Sequence, residues 1–260
     1  MTTVALITGA TEGIGYELAK CFARDRHDLV LVARNREKLE RVASETSASC
    51  GVRVSTLVQD LSEEEGARRV FDEVCRRRIA VDFLVNNAGV GTYGLFAEAD
   101  LERELAMMRL NMSSLTVLTR LFLPQMLQRR RGRILNVAST AAFQPGPLMA
   151  VYYATKAYVV SFTEALADEL QGSGVSASVL CPGPTRSEFQ ERAGMGASKL
   201  FRRGVMEASE VAETAYRAFM KGRTTIVPGL RNKLLAFSVR FGPRKLLPSI
   251  VRRFQEPADP

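Results

Sequence analysis

The feature that most constrains this chain is a rhythm of short runs that are apolar or small at nearly every position. Residues 4–8 (VALIT), 29–33 (LVLVA), 83–86 (FLVN), 133–139 (RILNVAS) and 175–181 (VSASVLC) stand out in this way. A half-solvated strand alternates apolar with polar residues, whereas a run without that alternation is buried on both faces, as in a parallel sheet covered by helices. Residues 52–59 and the short run 224–227 bring the count to seven. Between the runs lie stretches of helical spacing: 13–24, with Ile14, Leu18, Ala19 and Phe22; 36–47, with Leu39, Val42 and Ala43; and 61–78, 101–128, 151–170 and 209–221. The stretch 61–78 opens at Ser62 with acids in its first turn, a favourable arrangement at a helix N-terminus. Parallel neighbours need crossover connections, so strand–helix repetition predicts a doubly wound α/β sheet.

Composition agrees with a folded, water-exposed chain: 260 residues, 46% hydrophobic and 25% charged. The four cysteines (Cys21, Cys50, Cys75, Cys181) are scattered, without a C-x-x-C pair, and there is one histidine, His27. A disulfide framework and a zinc site of N and S ligands are therefore not expected, and the thiols read as reduced. No run reaches the roughly 18 apolar residues of a spanning helix, and residues 1–10 do not read as a signal peptide, so a cytoplasmic location is expected. The net charge of +8 is concentrated in residues 230–260, where seven basic and two acidic side chains give +5. No basic stretch is interleaved with aromatics, so a nucleic-acid partner is not expected.

The first strand is followed by Thr8-Gly9-Ala10-Thr11-Glu12-Gly13-Ile14-Gly15, glycines spaced G-x-x-x-G-x-G at the start of a helix. Glycine permits a tight turn and close approach of the backbone to a ligand, and the helix N-terminus favours an anion. No Lys-Ser/Thr follows, which disfavours a nucleoside-triphosphate loop. Further along come Asp60-Leu61 after the third strand, Asn86-Asn87-Ala88-Gly89 ending the fourth, Asn111 inside the long helix, Ser139 ending the fifth, Tyr152-Tyr153-Ala154-Thr155-Lys156, and Pro182-Gly183 ending the sixth. In that order and context these residues resemble the short-chain dehydrogenase/reductase family, over about residues 1–228. The resemblance implies a Rossmann-type seven-stranded sheet in residues 1–228, a substrate lid at about 185–204, and a basic amphipathic extension in 229–260.

The resemblance also implies a nicotinamide cofactor. Gly9, Thr11, Glu12, Gly13, Ile14 and Gly15 would hold its phosphates. Asp60 would accept from the adenine amino group beside Leu61, and Asp60 also reads as a helix cap. Asn87, Ala88 and Gly89 would line its centre, with Asn86 tying strands together. The end of the second strand reads Val32-Ala33-Arg34, with Ala33 where NAD-preferring members carry an acid. Arg34, helped by Lys38, suits a 2′-phosphate, so NADP(H) is expected. Glu12 stands where NADP-preferring relatives often carry a basic residue, and its carboxylate suits the helix N-terminus instead.

For the chemistry, His27 precedes the second strand, far from the carboxyl ends of the strands, and reads as a surface residue. The implied acid/base is Tyr152, with Lys156 one turn on along the same helical face. A nearby ammonium and the cofactor's positive ring would lower the phenol. Tyr153 is the rival, and the family spacing of four selects Tyr152. Ser139 would hold the substrate oxygen, with Thr140 as fallback, and Asn111 would bend its helix and hold a water on the proton relay. Pro182, Gly183 and Thr185, or Ser187, would frame the nicotinamide. Substrate contacts are expected from Tyr93, Phe143, Leu148, Met149, Phe189, Met195, Leu200 and Phe201, with Gly194, Gly196 and Gly204 allowing movement. This mostly apolar set fits a small ketone, acyl or steroid-like carbonyl/alcohol pair.

The tail reads as two short helices broken at Gly242-Pro243, the second with Leu247, Ile250, Val251 and Phe254 at helical spacing among basic residues. Such a helix either packs on its own subunit or a partner, or makes peripheral contact with an anionic membrane. The family's habit of pairing the Asn111 and Tyr152 helices implies a homodimer or homotetramer. The reading is an NADP(H)-dependent reductase. The alternatives are an NAD-dependent alcohol dehydrogenase of the same family and a non-catalytic dinucleotide sensor, and an intact Asn111, Ser139, Tyr152 and Lys156 argues against the sensor.

Overall fold

Successive residues of the apolar runs feed two different cores. Ala5, Ile7, Leu29, Leu31, Phe83 and Val85 pack on one side of the sheet with Leu18, Phe22 and Phe219, while Leu6, Val30, Val32, Leu84 and Ile134 pack on the other with Leu118, Phe122 and Met126. This is the side-chain alternation of a strand with both faces covered. The computed structural model describes residues 2–195 and 204–256. Strands β1 (Val4–Thr8), β2 (Asp28–Ala33) and β3 (Val54–Val58) are joined through α1 (Gly13–Arg24) and α2 (Arg36–Cys50). Helix α3 (Gly66–Arg76) leads to β4 (Phe83–Asn86). A long helical stretch, α4 (Leu101–Met108) to α5 (Leu115–Gln128), leads to β5 (Gly132–Val137), and α6 (Ala150–Glu169) to β6 (Val175–Leu180). Beyond these come the two-residue strand β7 (Thr185–Arg186), a one-turn α7 (Phe189–Arg192), β8 (Met206–Glu207), α8 (Ala208–Met220), β9 (Thr225–Ile226), α9 (Leu230–Ser238) and α10 (Leu247–Gln255).

The main sheet has the order β3-β2-β1-β4-β5-β6-β9, parallel at every pairing. The chain winds one way from β1 to β3 and the other way from β4 onward. Loops therefore diverge at the carboxyl ends of β1 and β4, which opens a crevice there.

Three elements differ from the sequence expectation, each for a local reason. Helix α3 begins at Gly66 rather than Leu61, because the Asp60 carboxylate accepts from the backbone N–H (2.8 Å) and hydroxyl (2.6 Å) of Ser62 and holds a turn ahead of the helix. The stretch 101–128 is helical throughout but widens to π geometry over Arg109–Ser114, with Asn111 in the widened turn. The fifth strand stops at Val137, because Ser139 starts a 3-10 turn by accepting from the Ala141 N–H at 3.1 Å. His27 is also half-buried rather than a surface group. Its ring meets Phe22 edge-on and Phe83 at a tilt and hydrogen-bonds the Thr3 hydroxyl, and burial lowers its pKa.

A polar chain crosses the second core. The Asn86 Nδ2 donates to Asn136 Oδ1 (2.9 Å) and Thr119 Oγ1 (3.1 Å), and Asn136 Nδ2 donates to Thr163 Oγ1 (2.9 Å). Asn86 and Asn136 are direct partners in the β4–β5 register, so the chain runs from α5 through both strands to α6. Replacing Asn86 by Ala leaves buried groups of Asn136 and Thr119 without their donor. A loss of about 1–3 kcal/mol in urea-unfolding free energy is expected, and an unchanged midpoint would mean that the chain contributes nothing.

Candidate active site

The crevice is built around a clamp between β1 and β4. Thr8 Oγ1 accepts from the backbone N–H groups of Asn87 and Ala88, both at 3.0 Å. In return Asn87 Nδ2 donates to the carbonyls of Thr8 and Gly9, also at 3.0 Å. Gly9 adopts φ +64°, and a Cβ there would stand 2.9 Å from the Ala88 Cα, so only glycine allows these backbones to meet. Gly15 packs beneath the turn, where a Cβ would lie 2.3 Å from the Gly9 carbonyl oxygen, so it shapes the turn from below instead of lining the cleft. At the head of α1, Glu12 occupies the N-cap position but its side chain caps nothing, leaving the first-turn N–H groups for another acceptor.

A cleft of about 700 Å³ runs outward from this turn. One end is lined by Arg34, Lys38, Asp60 and Leu61, the middle by Gly9, Thr11, Glu12, Gly13, Ile14, Asn87, Ala88 and Gly89, and the far end by Ser139, Tyr152, Lys156, Pro182, Gly183 and Thr185. Arg34 extends over Asp60 at 3.6 Å and is otherwise mostly in water. Partial burial works to raise the Asp60 carboxyl, but the two Ser62 hydrogen bonds and the Arg34 charge outweigh it and hold the carboxyl below its ordinary value.

The Glu12 carboxylate turns away from the helix end and joins a knot of four charges. Arg192 reaches it at 2.6 Å and Lys38 at 3.4 Å, and both cations also bind Glu188, at 2.8 and 3.1 Å. Burial and the neighbouring Glu188 push Glu12 up, whereas its hydrogen bond with Glu12 and the Lys38 ammonium hold Glu188 down. The knot fastens the segment 185–192 across the glycine turn, where a Cβ at Gly13 would stand 3.2 Å from the Ser187 Cβ. At the other side of this strap the Phe189 ring lies 5.5 Å from the Tyr152 ring and reaches over Gly91, where a Cβ would be 2.8 Å from Phe189 Cζ.

Under the strap, Tyr152 is buried, with the Ser139 hydroxyl near enough to act on its phenol. Burial raises the phenol and the Ser139 hydroxyl opposes this, so the group stands above its ordinary value, contrary to the lowering expected from Lys156. The ammonium does lie nearby, with Nζ 5.7 Å from the Tyr152 ring centre, but it is itself buried and donates to the Val137 carbonyl at 3.0 Å. Burial brings Lys156 down from 10.5 to about 8. A Cβ at Gly89 would lie 3.2 Å from both Lys156 Nζ and Asn111 Oδ1, so the missing side chain leaves the space these two groups face. Asn111 accepts from the Val90 N–H, donates to the Val90 carbonyl (both 3.0 Å) and donates to Thr155 Oγ1 at 3.1 Å. It is thus behind the cleft wall. Ser114 Oγ lies 3.1 Å from the Arg109 carbonyl and also meets the Leu61 carbonyl, which ties the widened turn to the Arg34 end.

Residues 3–197 match the model of the short chain dehydrogenase family. The chain belongs to the short-chain dehydrogenase/reductase family. Its seven-stranded parallel sheet is the Rossmann-type sheet of that family. It is 35% identical over 185 residues to a very-long-chain 3-oxoacyl-CoA reductase of Anas platyrhynchos, covering 68% of this chain and 58% of that protein. The chain spans about three fifths of the length of the first curated relatives it matches. A short-chain dehydrogenase of Sphingobium yanoikuyae, solved with NADPH, superposes with a TM-score of 0.83 at 33% identity over 92% of this chain and 94% of that one. A family member of Burkholderia phymatum, solved with NAD, gives 0.83 at 26% identity over 100% and 97%.

Several residues expected to touch substrate stand elsewhere in this short-chain dehydrogenase. Tyr93 donates its hydroxyl to the Gln255 carbonyl (2.9 Å), and Phe143 packs near Ala138 and Val159 and lines a separate groove with Ala154, Ala157 and Leu247. Leu148 is not among the cleft-lining residues. Met149, Phe189 and Met195 do line the cleft, while Leu200, Phe201 and Gly196 lie outside the described residues. Thr185 Oγ1 donates to its own Gly183 carbonyl at 2.9 Å. Gln144 and Arg192 line the cleft without having been singled out. Gln144 was legible as the amide in an otherwise apolar 141–149 loop, but nothing in sequence pairs Arg192 with Glu12.

The buried ammonium costs stability in a pH-dependent way. Below pH 8 Lys156 is charged in both folded and unfolded chains, and burial penalises only the folded one. Between pH 8 and 10.5 the unfolded chain binds the extra proton, so wild-type stability recovers as pH rises. Lys156→Met should therefore melt higher at pH 7, by about 2–4 °C for each kcal/mol regained, with the gain shrinking toward pH 10. A pH-independent gain in a thermal-shift series would rule out burial of the charge as its cause.

Proposed function

We propose that this chain is an NADP(H)-dependent reductase of small, mainly apolar ketones or acyl carbonyls. The observation carrying this reading is the buried Tyr152 beside the Ser139 hydroxyl, with Lys156 on the same helical face. The cleft also fits the cofactor. It offers an uncapped helix turn, cleft-lining backbone at Gly9, Gly13 and Asn87–Gly89, and the cations Arg34 and Lys38 with Ala33 in place of an acid. In this assignment Arg34 and Lys38 hold the 2′-phosphate, Asp60 and Leu61 the adenine, Lys156 the nicotinamide ribose, and Pro182, Gly183 and Thr185 the carboxamide end. The dinucleotide supplies the hydride when bound.

The chain's own residues manage the proton. A phenol held above its ordinary pKa stays protonated at neutral pH, the form required to donate to a carbonyl oxygen that is becoming an alkoxide. Ser139 Oγ accepts the Ala141 N–H, and its O–H, which makes only a long 3.5 Å contact to the Pro182 carbonyl, would turn to donate to the substrate oxygen. Lys156, held by the Val137 carbonyl, brings a transferable proton to the Tyr152 side of the cleft. Asn111 is a positioning residue that fixes the Val90 backbone opposite this lysine. Phe189, Met149 and Met195 exclude water, and Gln144 is the polar group beside them. Homo-oligomers formed through α5 and α6, where Ala154, Ala157 and Tyr158 are exposed, belong to the same proposal.

Titration with NADPH and NADH tests the cofactor. Arg34→Ala should weaken NADPH binding about 10- to 100-fold, the worth of a charge-assisted contact, and leave NADH unchanged. Equal binding of the two dinucleotides by wild type, or NADH preference, would favour the NAD-dependent reading supported by the Burkholderia phymatum neighbour. Tyr152→Phe should retain dinucleotide and lose about 10²–10⁴-fold in turnover, whereas a sensor would have no turnover to lose. Phe189→Ala should shift preference toward bulkier ketones in a substrate panel, since its ring fills the space between Gly91 and Tyr152.

A further inference from the structure

Helix α9 is folded inside out. Its one buried residue is Asn232, whose Nδ2 donates to the Pro228 carbonyl at 2.9 Å and which packs on Gly183. Leu230, Leu234 and Phe237 of the same helix are 73%, 61% and 57% exposed. The pattern continues through Phe241 (74%), Leu246 (56%) and Ile250 (49%), and Phe237 and Phe241 pack edge to face against each other in the open. Eight of the fourteen large apolar side chains exposed among the described residues fall between positions 230 and 254. Single exposed leucines are ordinary, but a concentration of this kind marks a surface that is covered in use.

Charge narrows what covers it. From position 230 to 255 the sequence contains seven basic residues and no acid. Arg231, Lys233, Arg244, Lys245 and Arg253 are exposed beside the apolar side chains. A second copy would bring the same positive surface, and the rest of the chain is itself net positive, so self-association here sets like charges together. Leucine, phenylalanine and isoleucine interleaved with lysine and arginine are the composition of a segment lying in the headgroup region of a negatively charged bilayer.

The tail is also joined to the cleft. Gln255 of α10 is fully buried, its Nε2 donating to the Tyr153 hydroxyl, and Tyr93 donates to its carbonyl. Val251, one turn earlier, packs against the cluster that contains Met149, Tyr152 and Met195. The inner face of α10 thus packs behind residues that line the cleft, one layer outside it.

We propose that α9, α10 and the turn between them dock on an anionic lipid bilayer, so that the substrate end of the cleft is held at the lipid surface. The test is co-sedimentation of the full-length protein with phosphatidylcholine vesicles, with and without phosphatidylglycerol. The protein should sediment only with the vesicles containing phosphatidylglycerol and be released by high salt. Lys233→Gln/Lys245→Gln should weaken partitioning about fivefold per charge removed. Leu234→Ser/Phe237→Ser/Phe241→Ser should abolish it while dinucleotide affinity, set in the cleft, stays unchanged. Sedimentation with neither vesicle type, or undiminished binding by the apolar variant, would overturn the proposal. So would a lower molar mass of that variant in vesicle-free solution, which would make the surface a subunit interface.

Discussion

The reciprocal clamp between Thr8 and Asn87 is the contact on which the site depends. Two parallel strands end side by side with their last carbonyls and the next N–H groups unclaimed by the ladder, at the point where the winding reverses. One hydroxyl and one amide satisfy four of these backbone groups. The glycine turn and the Asn87–Gly89 segment are thereby fixed against each other at a separation that excludes even a Cβ at Gly9. A cleft floor made of backbone presents N–H groups and small atoms to a ligand, and its shape does not depend on rotamers.

Burial does the rest of the tuning, and it acts oppositely on the two central groups. The same exclusion of water that raises the Tyr152 phenol lowers the Lys156 ammonium. From nearly equal ordinary values the two move apart, so the phenol keeps its proton while Lys156 gives one up more readily. The strap places the Phe189 ring 5.5 Å from the tyrosine ring, so residues 185–192 share in burying it. Asn111 serves the pair from behind: the widened turn accommodates an amide that an ordinary α-helix disfavours, and that amide is spent on the Val90 backbone.

The sheet was legible because burial on both faces erases alternation, and that shows in single runs such as VALIT and LVLVA. The glycine turn and the Tyr152–Lys156 spacing were legible because they depend on neighbours in sequence. What was not legible involves long-range contacts. The phenol was expected to be lowered by a nearby charge, but the desolvation that outweighs it comes from Phe189 and other residues distant in the chain. Tyr93 and Phe143 looked like pocket residues by position after their strands, and the C-terminal extension and α6 claim them instead. Helix α3 was expected too early because Ser62 looked like a cap, whereas Asp60 uses it to close a turn. Glu12 was assigned to the helix end next to it, and its partner Arg192 lies 180 residues away.

The four-charge knot of Glu12, Lys38, Glu188 and Arg192 has a kinetic side. Its side chains are each between 22% and 49% exposed, and partly solvated ion pairs hold weakly, at about 0–1 kcal/mol apiece. A strap fastened this way rests closed yet opens under thermal agitation without help from a ligand. It behaves as a light catch on a swinging door at the mouth of the cleft. Added salt loosens that catch without touching the chemistry beneath it.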